Sequence, residues 1–151
     1  MPTDTPHGPD EPGRSDEPAE PAGSAGASGP ADRARLLCDV RALAAETPAE
    51  RGGAVWRLDE PGRQLDSNLV HLPPGRRVDT HAEPDLDVLL LGVDGSGVLD
   101  TPDGPVPLAP GSLVWLPHGS TRALTAGERG LVYLTVHRRR PGMQIRTRPG
   151  G

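Results

Sequence analysis

The stretch Val78–Gly97, VDTHAEPDLDVLLLGVDGSG, sets His81, Glu83, Asp85 and Asp87 at alternate positions ahead of an apolar run and a glycine-rich turn. Alternate residues of a strand point to the same side. An imidazole and carboxylates so spaced are hard and borderline metal donors. The residues alone leave three readings open: a metal site, an altered metal site, or an acidic strand end. His71 and His118 could supply a second imidazole. His71 lies in the strand-like NLVHL, with its face undetermined, and His118 lies in the turn PHG, where a side chain points to solvent more often than inward. Asp79, Asp85 and Asp87 crowd His81, and their charge would tend to keep the imidazole protonated, which opposes metal binding.

Other chemistries find less support. Ser and Thr residues occupy turns, with no nucleophile elbow or triad order. GVDGSG lacks the strand-to-helix setting of a phosphate-cradling loop. Cys38 is the single cysteine, which excludes an internal disulfide and a Cys-based zinc site.

The elements that must position these residues follow from composition. At 151 residues the chain should hold one domain. Residues 1–30 carry six acids, one Arg and seven Pro, with Met1 as the one large aliphatic residue. Such a segment cannot bury enough apolar surface to offset its ordering entropy and is expected to be disordered. Residues 31–48 read as an amphipathic helix. Leu36, Leu37, Val40, Leu43 and Ala44 share a face, Asp32 is the expected N-cap, and Pro48 closes the segment.

From Gly53 the pattern changes to short apolar runs: AVWRL, NLVHL, VLLLGV, GVL, VPL, SLVWL, RALTA and LVYLTV. EPG, PPG, DGSG, PDG and APG separate them. That punctuation predicts an all-β sandwich or barrel over 53–137. VDGSG and TPDGP read as tight hairpin connections. Trp115 could face outward onto a helix or partner, or inward above a pocket. Residues 138–151 hold five Arg and no acid and are expected to form a basic flexible tail.

The net charge of −5 is the sum of an acidic head, an acidic body and this basic tail. An acidic body argues against nucleic acid as the main ligand. No apolar run approaches a signal h-region or a membrane span, so a soluble cytoplasmic protein without membrane contact is expected. A core without Phe and with few aromatics is modest, and pairing into a homodimer is expected.

Residues 53–137 resemble the cupin family of small jelly-roll barrels. The first family motif is Gly, five residues, His-x-His, three or four residues, Glu, six residues, Gly. Gly75, His81 and Gly95 match its frame. The second is Gly, five residues, Pro-x-Gly, two residues, His. GSLVWLPHGSTR supplies Gly111, Pro117 and Gly119, then Arg122 where the family has His. The resemblance implies a jelly-roll behind the leading helix, with an interior site of three imidazoles and a carboxylate, which suits Fe, Mn, Ni or Zn.

Here that ligand set is degenerate. Glu83 stands in place of the second His. The acid position is Asp87 with three intervening residues or Val88 with four, and Gly95 favours Val88. Arg122, at the fourth position, cannot bind a cation. The expected binding residues are therefore His81, Glu83, Asp87 and Arg122, with no metal and no cofactor.

Two uses of such a pocket are open. Glu83 and Arg122 pair and plug the barrel, or Arg122 grips the carboxylate of a small-molecule ligand bidentately with His81 as a second donor. The alternatives are a metal-dependent enzyme with an unusual ligand set, of dioxygenase or isomerase type, and a regulatory interaction module docking through the helix and tails.

Overall fold

The computed structural model describes residues 33–140. The chain divides into two units, Met1–Arg33 and Ala34–Gly151, and every element below lies in the second. Among the described residues one helix, α1 (Val40–Glu46), precedes seven strands. They are β1 (Gly53–Arg57), β2 (Leu65–Leu72), β3 (Arg77–Ala82), β4 (Val88–Thr101), β5 (Gly104–Leu108), β6 (Leu113–Leu116) and β7 (Thr121–Arg138). All pairings are antiparallel. None of the described helices is long and apolar enough to cross a membrane.

The long strands β4 and β7 form the spine. They run together from Val88↔His137 to Asp100↔Ala123. The first half of β7 also pairs β3 and the second half pairs β2, while β4 carries β6 at one end and β5 at the other. Each half of the spine thus belongs to a different wall of the barrel.

The predicted hairpin at VDGSG is corrected by this arrangement. β4 passes straight through, with register shifts between Gly92 and Asp94 and between Gly95 and Gly97. Pairing with β7 on both sides of the glycines outweighs the local turn signal, so the residues make bulges instead. Gly95 is required there: its φ is +70°, and a Cβ would lie 2.1 Å from the Gly130 carbonyl oxygen. TPDGP does form a hairpin turn, between Thr101 and Gly104.

The helix is shorter than the predicted 31–48. Asp39, not Asp32, is the N-cap, and its side chain accepts hydrogen bonds from the Arg41 and Ala42 N–H groups. Asp32 lies outside the described residues. Val40, Leu43 and Ala44 pack on the barrel and Leu36 does not, so the residues before Asp39 gain nothing from a helical turn. Residues 34–39 form no helix, Arg35 pairs with Glu60, and Leu36 is 89% exposed.

The predicted tail is also corrected at its start. Arg138 ends β7, the Arg139 N–H donates to the Gln64 carbonyl, and Arg140 pairs with Glu83. The remainder of the tail and the acidic head lie outside the described residues.

Two apolar clusters hold the strands. The barrel interior contains Leu72, Leu90, Leu99, Leu116, Leu124 and Leu131 among others. The second cluster lies between α1 and the outer face of the β2–β7 wall, where Ala44, Leu69 and Val132 are buried with Leu43 and Trp56 against them. His71 is buried and shares parity with Leu69, which places it on this outer side. Trp115, left open by the sequence, faces out on β6 beside its cross-strand neighbour Leu89.

Candidate functional site

β3 and β7 bring His81 and Arg122 face to face as cross-strand partners. Both line a cavity of about 90 Å³ in the barrel interior. Its walls are otherwise mostly aliphatic, from Val88, Leu90, Leu99 and Leu124, with Tyr133 and Thr135 from the second half of β7. Alternation explains the lining: Val88 and Leu90 turn inward on β4, while Leu89 turns out.

Arg122 is 8% exposed. Its Nη1 donates to the Ser120 carbonyl oxygen at 3.2 Å. Among the described residues no carboxylate forms an ion pair with it. Burial lowers its pKa below the ordinary arginine value, and the field of Glu83 partly offsets that. Beside it, the Ser120 Oγ is buried without a hydrogen-bond partner. His81 is fixed differently. Its Nδ1 lies 2.9 Å from the Asp79 carbonyl oxygen, which can only accept, so Nδ1 carries the proton and Nε2 remains open.

Glu83 does not pair directly with Arg122. Its carboxylate pairs with Arg140, and its backbone carbonyl accepts from the Gly119 N–H. The second contact ties the chain just after β3 to the Pro117–Ser120 turn.

Asp87 is not brought to Arg122. Its Oδ1 accepts both the His118 backbone N–H and the His118 Nδ1–H, each at 2.8 Å. These bonds hold its carboxyl below the usual range. Asp87 and His118 line a separate surface cleft with Asp85, Leu86 and Arg138. The expected set thus divides into His81 and Arg122 on the cavity, Glu83 beside it, and Asp87 on the outside.

Sequence reasoning missed Tyr133, Thr135 and Arg140. The alternation Leu131, Tyr133, Thr135 on an apolar strand carried the signal for the first two. Burial pushes the Tyr133 phenol up to about 12.

No family profile matches the sequence, and no curated protein matches it either. Solved structures do. A Klebsiella pneumoniae protein with a double-stranded β-helix domain superposes at TM-score 0.55 and 14% identity, over 68% of this chain and 83% of that one. A cupin-2 domain protein from Shewanella frigidimarina superposes at TM-score 0.50 and 15% identity, over 65% and 89%. The chain has the cupin fold.

A cupin-superfamily sugar phosphate isomerase from Silicibacter pomeroyi is similar at 25% identity and TM-score 0.48. The likeness covers 52% of this chain and spans only about half (53%) of that protein's length. Nothing about activity follows from it.

The cupin fold implies a metal held inside the barrel, and the side chains here do not fit one. His81 is the one imidazole on the cavity. Val88 and Leu90 occupy the inward positions of the strand where the resemblance puts the carboxylate, and a guanidinium occupies the fourth ligand position. Among the described residues no group of three or more His, Cys, Asp or Glu side chains could hold a metal ion. His71 cannot complete the set from the outer side of β2.

Proposed function

We propose that the barrel is a metal-free pocket for a short-chain carboxylate. The supporting observation is Arg122, an arginine 8% exposed that lines this aliphatic cavity with no carboxylate partner among the described residues. A buried charge without a counter-ion is costly. A ligand carboxylate removes that cost and accepts two parallel N–H bonds from the guanidinium fork. His81 Nε2 adds a donor when the ring is imidazolium.

The cavity of about 90 Å³ lies far below the ~300 Å³ at which pockets for drug-sized ligands begin, so a short aliphatic acid suits it and butyrate is the probe. Calorimetric titration with acetate, propionate, butyrate and hexanoate tests this. Saturable one-to-one binding, best near butyrate and lost for hexanoate, is expected. Absence of binding across the series, or stoichiometric Fe, Mn or Zn in purified protein, overturns the reading.

The reading includes pairing of two copies. Support comes from β6, which hydrogen-bonds to β4 alone, and from the exposed apolar strip of Leu89, Leu113 and Trp115 on the same wall. Edge strands with apolar outer faces favour association.

A further inference from the structure

A second cleft lies on the opposite side of the β2–β7 wall from the barrel cavity. It has a volume of about 220 Å³ and sits between the C-terminal end of α1 and the bulges of the spine. Its polar lining comes from His71, Asp94, Arg129 and Thr47. The carboxylate reading of the barrel uses none of them.

His71 is the informative residue. It is 5% exposed. Its Nδ1 meets the Arg51 carbonyl oxygen, which accepts only, so Nδ1 carries the proton and Nε2 presents a lone pair. Nε2 makes no hydrogen bond among the described residues, and it is not enclosed, since the Ser120 Oγ is the one fully buried polar side-chain atom there that lacks a partner. Gly130 helps keep the ring edge open: with φ at +80°, its missing Cβ would stand 3.2 Å from Nε2. A lone pair that opens on the cleft from an otherwise buried ring, with no protein donor, is available to a ligand donor.

The charges around it are opposite and separate. Asp94 accepts from the Gly95 N–H and otherwise faces the cleft. Arg129 also lines it. Neither forms an ion pair with the other or with any described residue. Two acceptors and a guanidinium that line one cleft match a molecule carrying an ammonium and a carboxylate. The volume is below the ~300 Å³ at which pockets for drug-sized ligands begin.

We propose that this cleft binds a zwitterionic α-amino acid with a small side chain. The ammonium donates to His71 Nε2 and the Asp94 carboxylate, and the carboxylate accepts from Arg129. The site is independent of the barrel.

The test is an NMR titration of the full chain, reading the His71 ring and the Arg129 Nε–H, with L-alanine as the probe. Saturable shifts of both groups are expected with L-alanine. Propionate and ethylammonium, which each carry one half of the zwitterion, bind about tenfold more weakly or less. Asp94 and Arg129 are exposed, so Asp94→Asn and Arg129→Gln keep the fold, and each weakens L-alanine about tenfold. Three results overturn the proposal: no saturable shift of His71, propionate or ethylammonium matching L-alanine, or unchanged affinity in both variants.

Discussion

Replacing Arg122 with Met separates a guanidinium that grips a ligand from one that merely plugs the barrel. The side chain is 8% exposed and makes one hydrogen bond, to the Ser120 carbonyl at 3.2 Å. Such a charged bond contributes about 1.5–3 kcal/mol net. Glu83 lies beyond ion-pair distance and is already paired with Arg140. It adds less than the ~4 kcal/mol of a 4 Å pair at an effective dielectric of about 20. Against both stands desolvation of the guanidinium, several kcal/mol for a buried ion.

These terms nearly cancel. Met is unbranched and apolar, so the unliganded variant should keep its stability to within about 1 kcal/mol. A structural ion pair would behave otherwise. Breaking one leaves a charge unpaired and costs about 3–5 kcal/mol, a Tm loss of roughly 12 °C or more in a domain of this size. Urea unfolding with and without butyrate is the assay. At a hundredfold excess over the dissociation constant the parent should gain about 2.7 kcal/mol, and Arg122→Met should gain nothing. Loss of about 3 kcal/mol or more in the unliganded variant, or a butyrate effect that survives the substitution, refutes the reasoning.

Further predictions concern single side chains. Tyr133 is the sole tyrosine, and burial raises its pKa to about 12. Phenolate absorbance should therefore rise near 12 in the native protein and near ~10 in urea, and stability should be full below ~10 and decline as pH climbs toward 12. Asp87 is depressed by its His118 bonds, so it stabilises the fold above the ordinary carboxylate range and that contribution disappears as pH falls through its lowered native value. Asp87→Asn should lower stability at neutral pH, leave the acid end unchanged, and so flatten the acid limb of a stability–pH curve. Gly95→Ala combines a φ of +70° with a 2.1 Å clash against Gly130 and should cost at least ~2 kcal/mol in urea unfolding. Trp115→Glu, at a 63% exposed position, should leave unfolding within about 0.5 kcal/mol of the parent and shift sedimentation toward monomer.

The barrel was legible because its punctuation is local. Gly75, Gly95, Gly111, Pro117 and Gly119 mark turns and bulges that few other residues tolerate, and they count out the positions of His81, Val88 and Arg122. The rest depends on distant surface. Asp32 and Asp39 are both N-cap residues by type; only the outer wall, which accepts Val40, Leu43 and Ala44 but not Leu36, decides between them. VDGSG carries a local turn signal, and β7 overrides it from both flanks. The partner of Glu83 is 57 residues away, in an Arg-rich stretch that reads as a solvated tail. Asp87 lies one position before the inward-facing Val88 and so turns outward, a distinction that rests on one residue of register.

The central claim is that the barrel holds an anion on a guanidinium where the fold implies a metal. Side-chain NMR of Arg122 Nε–H during a butyrate titration tests it most directly. A saturable downfield shift of that one resonance is expected, with His81 ring signals moving in step. An Arg122 resonance that stays in place up to saturating butyrate contradicts it.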